Sequence, residues 1–371
     1  MRYKNYVLKT FLLLLLLLAA CGGQPALRVE PLPSYDALFA GQKGWAGADG
    51  AYTVKLSDKD TLWLFGDTWW GETRDGRHEN ATIVNNSVAI QRGSSSPDAS
   101  VKFYCGRTPD GSPRAFIRPV DGRGWFWIYH GALAPDGLYL FLMQMQRTQD
   151  PATLGFKTIG LWLGHVVNYR DPPGQWRIVQ QRLPWTEFSA GKNVFFGSWV
   201  LKKDGFFYVY GIAEEKIDGR LRKFMILARV PEGGLADFNQ WRFFAGGKWI
   251  SDFSGSERLC EDMANEYSVS FLSDDGKYVA VYSQDGLAKN IIARFAPEPW
   301  GPWGEPVLFY QCPEAIRRKD IICYAAKGHP AISGAPDELV VTYVANSTDF
   351  YIMAADARLY RPRFLRVKFI F

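Results

Sequence analysis

The stretch GADGAYTVKLSDKDTLWLFGDTWW, residues 47–70, decides how this chain folds. A short strand leads into a tight acidic turn. A stronger apolar run, Thr61 to Phe65, follows and stops at Gly66-Asp67-Thr68. Two apolar segments joined by a short polar turn read as a β-hairpin. A greasy strand that ends on a carboxylate beside two tryptophans suits either an ordinary strand-end turn or a sugar site with an acid in it.

The same unit returns four times. The copies are YHGALAPDGLYLFLMQM (129–145), FFGSWVLKKDGFFYVYGIAEE (195–215), NEYSVSFLSDDGKYVAVYSQDG (265–286) and GHPAISGAPDELVVTYVANS (328–347). Three of the turns contain Asp-Gly outright, at Asp136, Asp204 and Asp275. Asp-Gly between apolar runs is the strongest short-range hairpin signal. Third strands also match one another: NSVAIQ, GLWLGHVV, FMILARV, NIIARFA and RFLRVKF. Four copies carry a fourth segment, often opened by tryptophan, as in WRIVQQRL and WRFFAGGKW.

Five antiparallel sheets of about four strands predict an all-β fold, a five-bladed β-propeller. An irregular β-sandwich is the alternative, and it fits five copies of one register poorly. The fifth copy has no fourth strand of its own, which would leave a bare sheet edge. The segment ALRVEPLPSYDALF, residues 26–39, is expected to close the ring as that strand.

Composition agrees with a single large domain. Of 371 residues, 47% are hydrophobic and 22% charged, enough for a sizeable core. Aromatics at 15%, with 36 glycines and 21 prolines, suit many short strands and turns. Arg2, Lys4 and Lys9 precede an apolar run, Phe11 to Leu18, too short to span a bilayer comfortably. The run ends in LAAC, the pattern of a bacterial lipoprotein signal whose cleavage leaves a lipidated Cys21; a plain secretory signal is the alternative. The expected organisation is therefore a signal over residues 1–21 and one propeller domain over 22–371. The expected location is the cell envelope, lipid-anchored, in the outer membrane or periplasm, and a monomer is expected. Three of the five net positive charges sit in the signal, so the remainder is nearly neutral. That balance offers no electrostatic case for nucleic acid.

Four cysteines follow the signal: Cys105, Cys260, Cys312 and Cys323. Four cysteines allow three pairings, and Cys312 with Cys323 is the closest pair in sequence. Their spacings are not those of a zinc site.

In such a ring the first strand of each blade starts on one face, and the second strand ends there. First strands are expected to begin near Asp49, His130, Gly197, Glu266 and His329. Second strands end near Asp67, Gln144, Glu214, Gln284 and Asn346. The mouth should therefore gather Asp49, Asp67 and Glu266, with Asn86, His130, His329 and Trp69 around them. Carboxylates and amides suit sugar hydroxyls, and aromatic faces suit sugar rings. Glycoside hydrolysis needs two carboxyl groups, and acids crowded into a partly dry mouth have their pKa values pushed apart. Asp49 is the expected base or nucleophile, with Glu266 or Asp67 as acid. Asn86, His130, His329 and Trp69 are expected to bind substrate. Turn capping would explain Asp49 and Asp67 without catalysis, and each histidine also suits a structural role. No nucleophile elbow, zinc-protease motif, phosphate loop or dinucleotide fingerprint is present. No cofactor is expected; calcium in the channel is conceivable from the oxygen-rich mouth, although no calcium-loop spacing occurs.

The pieces GADGAYTVKL, TLWLFGDTWWG and VNNSVAIQ resemble the opening of bacterial propeller families called domain of unknown function 4185 and its relatives. NEYSVSFLSDDGKYVAVYS and GHPAISGAPDELVVTYVANS fit the same pattern. This resemblance implies a five-bladed propeller akin to glycoside hydrolase families 43 and 32, with some relatives cutting D-arabinan. It implies catalytic acids at the positions of Asp49 and Asp67. Two departures stand out: His329-Pro330-Ala331 replaces an HPE pattern, and YHGALA lacks an acid. They favour the alternative function, a non-catalytic glycan-binding or surface-scaffold propeller.

Overall fold

The computed structural model describes residues 25–41, 43–93, 99–150, 155–189 and 191–371. The signal and the expected lipidation at Cys21 lie outside the described residues. The chain is all-β, with five antiparallel sheets of four or five strands. Sheet I contains Tyr52–Lys55, Asp60–Phe65, Ser87–Arg92 and Ser100–Tyr104. Sheet II contains Trp125–Ala134, Gly137–Arg147, Phe156–Val166 and Ile178–Arg182. Sheet III contains Lys192–Lys203, Phe206–Ile217, Arg220–Pro231, Arg242–Ala245 and Lys248–Ile250. Sheet IV contains Tyr267–Leu272, Lys277–Ser283, Asn290–Ala296 and Val307–Gln311. Sheet V contains Ile321–Gly328, Glu338–Ser347 and Pro362–Ile370, and its fourth strand is Ala26–Pro31 from the other end of the chain.

Local chemistry explains the hairpins. Asp204-Gly205 and Asp218-Gly219 take positive φ at both residues, which is the type I′ geometry that follows the twist of paired strands. The N-terminal strand pairs antiparallel with the last one, Leu27 opposite Phe369 and Pro31 opposite Leu365. It covers an edge that would otherwise present unpaired backbone groups.

The first strands lie beside one another in sequence order. His130 of sheet II bonds the Thr53 carbonyl of sheet I at 2.9 Å and accepts from Val200 N–H of sheet III at 2.9 Å. Tyr267 of sheet IV donates to Gly211 O of sheet III at 2.9 Å, and Gly328 N–H of sheet V donates to Ser268 of sheet IV at 2.6 Å. His329, which follows sheet V's first strand, meets Thr53 Oγ1 of sheet I at 3.0 Å.

Two features differ from the reading of the repeats. In the fifth unit the first strand is Ile321–Gly328, so His329 follows it instead of opening it. A bulge between Tyr324 and Lys327 breaks the alternation that would have marked this strand. In units two and three the strands start earlier, at Trp125 and Lys192, and bulges place His130 and Ser198 in mid-strand. Beyond the five sheets, a small sheet of Gly44–Ala48, Thr68–Arg74 and Arg77–Val84 stands at the end of sheet I where its second strand finishes.

Candidate active site

Backbone bonds hold the two acids of the opening stretch together. Asp49 N–H donates to the Asp67 carbonyl at 3.3 Å, and Gly66 N–H donates to the Asp49 carbonyl at 3.1 Å. The tyrosine hydroxyls of Tyr324 and Tyr360, both from the sheet V region, each donate to Asp49 Oδ2 at 2.9 Å. Trp127 on the first strand of sheet II donates its indole N–H to Asp67 Oδ1 at 2.9 Å, and Asn85 donates to the same oxygen at 3.2 Å. Glu266, one residue ahead of sheet IV, pairs with Lys327 Nζ at 3.1 Å. Lys327 has no exposed side-chain surface, against 24% for Glu266. Its ammonium also donates to the carbonyls of Gly50 and Ala325 and lies 4.3 Å from the Tyr52 ring centroid.

These contacts set the electrostatics. Burial, then the negative charges of Asp67 and Glu266, push the Asp49 carboxyl up to about 8, against the pull of its tyrosine bonds. Burial also raises Asp67, to about 6, against the bonds from Trp127 and Asn85. Tyr324 and Tyr360 are held well above the ordinary phenol range, by burial first and Asp49 next, so they remain donors. Burial lowers Lys327, and Glu266 opposes that shift.

Backbone strain gathers at the same place. Among the described residues nine non-glycine positions have positive φ, and six are Asp or Asn, which tolerate that region. The other three are Ala51, Ala325 and Tyr360, at φ 54°, 59° and 59°. Ala51 follows Asp49-Gly50, the Ala325 carbonyl accepts from Lys327, and Tyr360 donates to Asp49. Strain of this kind persists only where the surroundings over-determine it, and it clusters at functional sites.

Of the residues read from sequence, Asp49, Asp67 and Glu266 come together. Asn86 does not reach them: its amide donates to the carbonyls of Ile117 and Phe126, and its oxygen accepts from Ile117 N–H, all within the buried interior. His130 and His329 are buried at the level of Thr53, below the acids, where they join sheets. Their expected substrate contacts are corrected by this placement, since both ring nitrogens of each already have protein partners. Trp69 is packed rather than open, stacked on His78 with centroids 4.4 Å apart. Trp45 and Trp70 are buried too.

The second-strand ends share this face, each differently anchored. Gln144 takes a bond from Trp162 at 2.8 Å, and Glu214 accepts from Asn193 and Asn265, both at 2.9 Å. Asn346 donates to the Tyr324 hydroxyl at 3.3 Å. Sequence reasoning missed Trp127, Tyr324, Tyr360 and Lys327. The one available signal was a lysine inside the small-residue run AAKGH. Among the described residues no group of three or more His, Cys, Asp or Glu side chains is placed to hold a metal ion. Cys312 and Cys323 are buried thiols in hydrogen-bond contact with each other.

A family model described as a domain of unknown function, DUF5005, matches residues 33–369. No curated protein matches the chain. Among solved structures, a candidate hydrolase from Bacteroides ovatus superposes with a TM-score of 0.72 at 19% identity, covering 94% of this chain and 93% of the other. That likeness shows a shared fold. A thermostable family-43 glycoside hydrolase gives a TM-score of 0.45 at 16% identity, covering 88% and 90% of the two chains. A family-43 enzyme from Xanthomonas citri complexed with xylose gives 0.45 at 14% identity, covering 90% and 92%.

Proposed function

The chain belongs to the DUF5005 family, and from that premise we propose that it is a glycoside hydrolase whose mouth acids are Asp49, Asp67 and Glu266. The five sheets are read as blades of a five-bladed propeller, closed by Ala26–Pro31. Kinship with domain of unknown function 4185, and with arabinan as substrate, belongs to the same proposal, as do a monomeric state and a polysaccharide partner.

One observation carries the reading. Two carboxyls share a site, and their surroundings push them apart, to about 8 and about 6. Separated carboxyl pKa values are how one site supplies an acid and a base at the same pH. The roles expected from sequence therefore reverse. Asp49, the more strongly raised, is the proton donor. Both tyrosines donate to its Oδ2, which leaves Oδ1 to carry the proton. Asp67 is the base or nucleophile, and its two donors on Oδ1 leave Oδ2 for the substrate or water. Glu266 adds the charge that keeps Asp49 protonated, and Lys327 holds it in place.

The test is product release. The chain from Gly22 is incubated with arabinans, fructans, xylans and envelope glycans, and new reducing ends are counted. One glycan is expected to yield product, with turnover reduced at least ~100-fold in Asp49→Asn. The rate is expected to be bell-shaped, with limbs near 6 and 8. Turnover that survives Asp49→Asn overturns the role given to Asp49. Retention of a glycan without product supports the binding-module alternative, which the missing acid in YHGALA favours.

A further inference from the structure

We infer that the face opposite the mouth is the surface this protein lays against a lipid bilayer, so that the acids point away from the membrane. The inference rests on the lipidation of Cys21 expected from the LAAC pattern and is independent of the hydrolase reading.

Strand direction fixes which end is which. In sheet V the strand Glu338–Ser347 finishes at the mouth, where Asn346 meets Tyr324. Its neighbour Pro362–Ile370 runs the other way, so Ile370 lies at the far face. Ala26 pairs with Ile370. The N-terminal strand therefore begins at the face farthest from Asp49.

Only Gly22, Gly23, Gln24 and Pro25 separate Cys21 from Ala26. Five Cα steps span at most roughly 18 Å when fully extended. The strand beside Ala26–Pro31, Pro362–Ile370, reaches back to the mouth side in nine residues, roughly 30 Å at the usual rise. A lipid on Cys21 cannot reach round to the mouth. It draws the far face to the bilayer.

That face has side chains suited to a headgroup layer. Phe271, Ile370 and Phe371 are exposed there. Lys277 sits 3.9 Å over the Phe371 ring, and Phe271 packs against Tyr278 with centroids 4.9 Å apart. Aromatic rings with lysines beside them bury their apolar bodies at a membrane interface and keep their charge in water. A diacylglyceryl anchor supplies stable attachment through its own two chains, and the exposed rings decide which face it brings to the lipid. The mouth then stands about a strand length from the headgroups.

The test uses the full lipidated chain in vesicles of phosphatidylethanolamine and phosphatidylglycerol at 3:1, with amide exchange compared before and after detergent release. Exchange is expected to slow about tenfold over residues 271–278 and 365–371 on vesicles, with residues 45–50 and 66–70 unchanged. Phe271→Ser with Phe371→Ser, both on the surface, should remove that protection while lipidation and folding persist. Protection at the mouth, or at neither face, overturns the inference. So does an intact mass showing no diacylglyceryl group on Cys21.

Discussion

A methyl group added at Gly66 would lie 2.4 Å from Asp49 Oδ1, nearer than side-chain carbons approach any atom. The backbone of Gly66 is not left-handed, so this glycine is needed for space and not for conformation. Asp49 cannot swing aside without giving up a tyrosine bond. Gly66→Ala is expected to lower turnover at least ~10-fold, since misplacement of a reacting group by about 1 Å is enough for that. The melting temperature should move by only a few degrees. Activity equal to wild type would mean that the two acids do not need this close approach. The acids themselves were legible, because strand register carries Asp49 and Asp67 to one face whatever the packing details. The histidines were misread for a physical reason. Matching positions in two repeats look like a shared site, but the same matching arises when neighbouring sheets are joined at one level.

At the scale of elements, the bulge between Tyr324 and Lys327 turns one strand into the support of another sheet. It aims Lys327 away from its own sheet and under the Gly50 carbonyl, two residues ahead of sheet I. Lys327→Met keeps the volume and removes the charge. It leaves Glu266 without its cation and the Gly50 and Ala325 carbonyls short of a donor. Stripping one partner from a buried pair is the costly case, and a loss of about 2–4 kcal/mol in urea unfolding is expected. A loss below about 0.5 kcal/mol would mean that water replaces the ammonium freely. The hairpins were legible wherever Asp-Gly turns and apolar alternation coincided, and the strand Ala26–Pro31 was legible from a missing partner. The first strand of sheet V was not, since ICYAAKG alternates badly around its bulge. The small sheet holding Trp69 was not either, because its strand continues straight from the turn that ends sheet I.

For the whole molecule, buried groups of opposite kinds set opposing pH slopes. His130 donates through Nε2 to Thr53 and accepts through Nδ1 from Val200, which only the neutral ring satisfies. Burial pushes it down to about 3. Its stabilisation is present above the ordinary histidine range and is lost as the pH falls toward 3. Asp49 and Asp67 act the other way: raised carboxyls favour the folded state at low pH, and that contribution is lost as the pH rises through 6 and 8. Between pH 6 and 8.5 the melting temperature should therefore fall, and Asp49→Asn should fall less steeply by a few degrees. Equal slopes in thermal melts at fixed ionic strength would show that Asp49 is ionised throughout. The pairing of Leu27 with Phe369 has a further consequence, for the order of events at synthesis. The strand Ala26–Pro31 must wait for residues more than 300 positions further along before it has a neighbour. Sheet V therefore lacks its fourth strand until Pro362–Ile370 has been made. Contacts this distant in sequence form slowly. The same pairing also makes late truncation severe: a stop codon before Pro362 would remove two strands from sheet V, one directly and the other by leaving it nothing to pair with.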